Sequence, residues 1–141
     1  MSENDNNLSY IRNFGKLNIS DVSLVGGKNA SLGEMYSELT DSGINVPNGF
    51  AVTVDGYCDY VDYNHLSSKI EDILETIDVD DVDSLSDVGT TIRSWFINGD
   101  MPPDLESEIL TSYHDLGGSV AVRSSATTED SISNSFAGQL E

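Results

Sequence analysis

The sequence predicts an α+β fold of short strands and several packed helices, and two observations carry the prediction. The apolar runs that could be strands are short: Tyr10-Ile11-Arg12-Asn13-Phe14, Phe50-Ala51-Val52 and Val120-Ala121-Val122. Between the second and third, and again after the first, apolar residues recur at the three-and-four spacing of amphipathic helices. The chain has 141 residues, enough for one domain with its own core.

Taken in order, residues 1–9 are polar and are expected to be disordered, so the domain begins at Tyr10 and runs to Glu141. The first strand ends at Gly15. Ser20-Asp21 marks a turn or helix start, and apolar residues then lead to Gly26-Gly27-Lys28. Behind them Leu32, Met35, Tyr36 and Leu39 form one apolar stripe, terminated by Asp41-Ser42-Gly43. Ile44 to Gly49 is a turn punctuated by Pro47 and Gly49.

After the strand Phe50–Val52, Thr53 is placed to cap a helix that carries Tyr57, Tyr60 and Val61 on one side. Gly56 weakens that helix by roughly 1 kcal/mol relative to alanine. Tyr57, Tyr60 and Tyr63 read as packing, and Cys58 as a packed thiol between them. The next helix begins at Ser68, with Ile70, Ile73, Leu74 and Ile77 in register. The acidic run Asp78 to Asp83 lacks the central Gly and closing Glu of a calcium-binding EF-hand loop and reads as a solvated linker. Leu85, Val88, Ile92 and Phe96 mark the fourth helix, closed by Asn98-Gly99, with Trp95 at the edge of its buried face. Pro103 suits the first turn of the fifth, which carries Leu105, Ile109, Leu110 and Tyr113 and ends at Gly117-Gly118.

Charge narrows the possible partners. With 25 acidic and 6 basic residues the formal charge is −19, which argues against nucleic acid and anionic membrane as partners. No apolar run is long enough to span a bilayer, and the N-terminus lacks a basic region followed by an apolar one. The single cysteine excludes an internal disulfide and suits a reducing compartment. A cytoplasmic location is the expectation.

In so acidic a chain the cations are informative. Lys28 follows two glycines at a helix N-terminus, where backbone N–H groups and the positive end of the dipole favour an anion. The spacing is not that of a Walker P-loop, because Asn29 stands where Ser or Thr follows the lysine. A tight turn with a solvated Lys28 fits the same residues. Arg123 follows the apolar run Val120–Val122 and is followed in turn by Ser124, Ser125 and Ala126. Past an acidic bend at Glu129-Asp130 lies the small-residue loop Ser135-Phe136-Ala137-Gly138-Gln139. A guanidinium beside such a loop is one way to hold phosphate; a surface ion pair is the other reading. His65 and His114 lack partners at metal-ligand spacing and read as structural.

Three segments together carry more weight than any alone. Val25-Gly26-Gly27-Lys28-Asn29-Ala30-Ser31-Leu32-Gly33-Glu34-Met35, then Val46-Pro47-Asn48-Gly49-Phe50-Ala51-Val52-Thr53, then Val120 to Thr127 with Ser135 to Gln139, occur in this order. They resemble the N-terminal nucleotide-binding domain of the phosphoenolpyruvate synthase family, the pyruvate, water dikinases. The resemblance runs from about Tyr10 to Glu141, although between Asp59 and Gly117 it is one of pattern only.

The resemblance implies the N-terminal lobe of an ATP-grasp fold, in which two α+β lobes close over ATP, here as a partial pyruvate phosphate dikinase-type ATP/PEP-binding domain. It implies that Lys28 and Arg123 contact the nucleotide phosphates and that Ser135, Phe136, Ala137, Gly138 and Gln139 form a mobile loop over them. In the family, ATP pyrophosphorylates a histidine on a swivelling domain, phosphate is released, and the phosphohistidine passes its phosphoryl group to pyruvate. Neither His65 nor His114 matches that histidine's motif, so no catalytic residue is expected here.

Magnesium accompanies the nucleotide, and its acidic ligands belong to the second lobe, beyond Glu141. The chain is therefore expected to be an N-terminal fragment or truncated gene product that alone binds ATP weakly or not at all and turns over no pyruvate, unless another polypeptide completes the site. Two alternatives accompany this reading: the equivalent lobe of a rifampicin-type ATP-dependent phosphotransferase, and a non-catalytic module that binds a nucleotide or a partner.

Overall fold

The structure, a computed structural model, describes residues 10–78 and 80–127. It divides into two compact units: one takes in the described residues up to Gly56 and from Asp104 onward, the other Tyr57–Pro103.

The first unit is built on a two-stranded antiparallel sheet. Strand β1 (Ile11–Asn13) pairs with β2 (Phe50–Val52), Ile11 opposite Val52 and Asn13 opposite Phe50. Backbone bonds lengthen the ribbon at both ends, from Thr53 N–H to the Tyr10 carbonyl (2.8 Å) and from Phe14 N–H to the Gly49 carbonyl (3.0 Å). Ile11 and Ala51 are buried and Asn13 and Val52 exposed; because Ile11 stands opposite Val52, the two buried residues lie on opposite faces of the ribbon. A short 3-10 turn, Phe14–Lys16, carries the chain off β1.

Between the strands lie α1 (Val22–Val25) and α2 (Gly27–Asp41). A second 3-10 turn, Ile19–Asp21, leads into α1 and is held by a reciprocal capping box: Ser20 N–H donates to Asn18 Oδ1 and Asn18 N–H to Asp21 Oδ2, each at 2.9 Å. The core gathers Leu17, Val25, Ala30 and Ala51, with Phe14, Val22 and Leu24 packed on it.

The stripe expected on α2 is not its most buried face. Met35 is 43 % exposed, whereas the buried positions are Ala30 and Gly33. Small side chains win because α2 lies almost in backbone contact with the preceding loop. A β-carbon on Gly33 would overlap Leu17 Cβ and lie 3.0 Å from the Leu17 carbonyl oxygen. The expected stop is observed: Ile44 N–H bonds the Leu39 carbonyl at 2.9 Å and Gly43 N–H the Thr40 carbonyl at 3.0 Å, the paired bonds of a Schellman ending.

Thr53 caps α3 (Val54–Tyr63) as expected, its Oγ1 accepting from Gly56 N–H at 3.4 Å. At 1 % exposure it is also among the most buried polar residues described. Gly56 has a role beyond weakening the helix. A β-carbon there would lie 2.9 Å from Val52 Cγ1 and 3.1 Å from Leu105 Cδ1, so its smallness lets α3 and α6 (Pro103–Leu116) approach β2. Glu108 on α6 accepts from Tyr10 N–H at 2.9 Å, fastening that helix to β1. Thr53→Ala removes both a cap and a buried hydroxyl, so we expect a loss of about 1–2 kcal/mol, largely restored by Thr53→Ser, from urea unfolding at unchanged m.

In the second unit, Tyr57 and Tyr60 stack on Phe96 with centroids 6.3 and 6.4 Å away. The Tyr60 hydroxyl donates to the Phe96 carbonyl at 2.6 Å. The packing role expected for the tyrosines thus holds for Tyr60, which is partly buried, whereas Tyr57, although stacked on Phe96, and Tyr63 are 58 % and 52 % exposed. Cys58, expected to be packed, is exposed instead: it is the next residue around the helix from Tyr57 and turns off the stacked face. Helix α4 (Leu66–Leu74) begins two residues before Ser68, because Leu66 is an anchor at 1 % exposure. It ends before Ile77. In the acidic run, Asp81 caps α5 (Val82–Ile97) by accepting from Asp83 N–H at 3.0 Å. Pro103 opens α6 as expected.

The third expected strand is absent. Residues 120–122 adopt no strand, and Val120 and Val122 are 44 % and 93 % exposed. A three-residue apolar run becomes a strand only when a neighbour completes its ladder, and among the described residues β1 and β2 pair only with each other.

Candidate functional site

The site grows out of a helix break at one residue. Gly26 closes α1 by donating to the Val22 carbonyl (2.8 Å) and opens α2 by accepting from Ala30 N–H (3.1 Å). To do both it takes φ 81° and ψ 159°, a region open almost only to glycine. The break frees the Val25 carbonyl from helical pairing. Two side chains serve that oxygen: Asn29 Nδ2 and Ser125 Oγ, both at 2.9 Å. A carbonyl with two lone pairs accommodates both.

Segment 124–126 therefore lies against the start of α2. Lys28 Nζ donates to the Ser124 carbonyl at 3.2 Å. A β-carbon on Gly26 would overlap Ser125 Oγ and stand 2.9 Å from the Ala126 carbonyl oxygen. The fold thus brings the Lys28 ammonium to the peptide next to Arg123 across 96 residues of sequence. The Arg123 side chain is exposed. The expected loop Ser135, Phe136, Ala137, Gly138 and Gln139 lies outside the described residues.

Asn29 and Ser125 escaped attention as site residues in the sequence. Asn29 stood out only as a departure from the P-loop pattern, yet it supplies the i→i−4 side-chain bond that a broken helix needs. Nothing local marks Ser125, because its acceptor lies 100 residues earlier.

His65 takes a left-handed conformation (φ 53°) just before α4, and the His114 ring lies 5.8 Å from that of Tyr113. Among the described residues no group of three or more His, Cys, Asp or Glu could hold a metal ion. None of their helices is long and apolar enough to cross a membrane. An open cleft of about 470 Å³ beside β1 and α6 is lined by Arg12, Lys16, Ser107, Glu108, Thr111 and others. It includes no residue of the Gly26–Lys28 turn or of segment 123–126.

Residues 22–141 match the family profile described as pyruvate phosphate dikinase, AMP/ATP-binding domain. The chain belongs to this family. Among its relatives in the pyruvate phosphate dikinase AMP/ATP-binding family, it is 45 % identical over 139 residues to the phosphoenolpyruvate synthase of Pseudomonas aeruginosa, covering 95 % of this chain and 18 % of that one. It is 47 % identical over 140 residues to the Neisseria meningitidis serogroup B phosphoenolpyruvate synthase, covering 94 % and 18 %. The Escherichia coli phosphoenolpyruvate synthase is 44 % identical over 133 residues, covering 91 % and 17 %. The chain thus spans less than a fifth of the length of these relatives.

Proposed function

We propose that this chain is the phosphate-gripping part of an ATP-grasp nucleotide lobe, working within a phosphoenolpyruvate synthase. That enzyme would convert ATP, pyruvate and water to phosphoenolpyruvate, AMP and phosphate through a phosphohistidine that neither His65 nor His114 supplies. The observation that carries the reading is the meeting of the Gly26–Lys28 turn with the backbone beside Arg123, through Lys28 Nζ to the Ser124 carbonyl and Ser125 Oγ to the Val25 carbonyl. Membership of an AMP/ATP-binding family supports the nucleotide, and the phosphoenolpyruvate synthase relatives favour pyruvate over a rifampicin-type acceptor.

In this reading Lys28 exchanges a neutral carbonyl for a phosphate oxygen, a charge-assisted contact of roughly twice the strength. Arg123 supplies a planar fork to a second oxygen. Both act by positioning and charge compensation, the chief demands of phosphoryl transfer. Ser135 to Gln139 would cover the phosphates and exclude water. The adenine pocket and the carboxylates for Mg2+ would come from a second lobe, on the same or a partner polypeptide. One cysteine in the whole chain suits a cytoplasmic setting.

An amide-shift titration of the chain with ATP tests this, because it registers weak binding. Shifts should centre on Gly26 to Asn29 and on 123–126. Lys28→Ala and Arg123→Ala should each weaken the affinity about tenfold, the equivalent of one charged contact, while Lys69→Ala should not. Unchanged affinity in both of the first two variants would refute the assignment.

A further inference from the structure

We propose that Ser125 is the positioning residue that holds the Arg123 segment in register with Lys28. The inference rests on the nucleotide reading above and assigns a part of that site which neither family membership nor sequence motif identifies.

Segment 120–127 has no strand ladder among the described residues, so side chains must help to seat it. Two of the long-range hydrogen bonds that join it to the break between α1 and α2 differ in kind. The bond from Lys28 to the Ser124 carbonyl uses an ammonium that an arriving phosphate would claim. The bond from Ser125 Oγ ends on the carbonyl of buried Val25, which no anion can replace. Seating therefore passes to Ser125 when Lys28 turns to the ligand.

The pocket for the hydroxyl is formed by the absence of a side chain at Gly26, where a β-carbon would overlap Ser125 Oγ. Loss of the hydroxyl does not orphan the Val25 carbonyl, which keeps Asn29 Nδ2. Removing it should thus disturb position far more than folding.

The test uses the 141-residue chain with Ser125→Ala, Ser125→Thr and, as a reference for the nucleotide reading, Lys28→Ala. Three quantities are measured: nuclear Overhauser contacts from Gly26 to residues 125 and 126, ATP affinity, and the thermal midpoint. Ser125→Ala should lose the contacts and weaken ATP about tenfold at a nearly unchanged midpoint, and Ser125→Thr should recover both. If Lys28→Ala weakens ATP while Ser125→Ala keeps wild-type affinity, the positioning role is wrong and the nucleotide reading stands. If Lys28→Ala leaves ATP affinity unchanged, as does the Arg123→Ala variant of the preceding test, the nucleotide reading fails and takes this inference with it. A lowered midpoint in Ser125→Ala that Ser125→Thr does not recover makes the residue merely structural and also overturns the proposal.

Discussion

Gly26→Ala is expected to lower stability by about 2–6 kcal/mol and to abolish ATP-dependent shifts at 123–126. Two costs add. The backbone at φ 81° and ψ 159° lies where a side chain costs about 1–3 kcal/mol. The new methyl would also overlap Ser125 Oγ and crowd the Ala126 carbonyl, an overpacking cost of about 1–3 kcal/mol. Relief must come from displacing segment 124–126, because the other side of Gly26 is the buried core around Val25 and Ala30. A domain of this size has only about 5–15 kcal/mol in all, so the loss will be plain in a urea midpoint. A wild-type midpoint together with intact shifts at 123–126 would show that the turn does not seat the segment as described.

The second large effect turns on sign. In an isolated helix Gly→Ala is favourable by about 1 kcal/mol. At Gly33 in α2 we expect the reverse, a net loss of about 1–3 kcal/mol. The methyl would overlap Leu17 Cβ and lie 3.0 Å from its carbonyl oxygen, and backbone cannot rotate away as a flexible side-chain end can. Gly89 in α5 is the control. Its nearest atom would be Arg93 Nη1 at 3.5 Å, an ordinary contact with the end of a flexible chain. Gly89→Ala should therefore stabilise by about 0.5–1 kcal/mol. The pair is compared by urea unfolding; stabilisation by Gly33→Ala would refute the close approach of α2 to Leu17.

Local chemistry made much of this legible in the sequence. The Thr53 cap, the Pro103 start, the stop at Asp41-Ser42-Gly43 and the helix opening at Gly26-Gly27-Lys28 are decided within a few residues, and the structure has each of them. The motif order from Gly26 to Arg123 also identified the nucleotide-binding family that the profile match shows. Legibility failed where a partner distant in sequence decides the outcome. Val120–Val122 had the composition of a strand but no ladder among the described residues. The face of α2 was misjudged because Gly33 packs by its lack of a side chain, which an apolar count cannot register. Cys58 was misplaced because the stacked tyrosines face Phe96, a residue of another helix.

The sequence by itself therefore determined several helix ends, the scarcity of cations, and the placement of Lys28 after two glycines and of Arg123 before two serines. Caps, turns and charge are properties of neighbours along the chain. Only the tertiary structure decided that Lys28 meets the peptide beside Arg123, that Ser125 reaches the Val25 carbonyl and that Gly33 admits Leu17. Each of the two hydrogen bonds joins residues about a hundred positions apart, and Gly33 accepts Leu17 because the core that Leu17 and Ala30 share draws α2 onto the preceding loop. Such meetings are set by the packing of the elements between the partners and by the space a missing side chain leaves, and neither is written at either end alone.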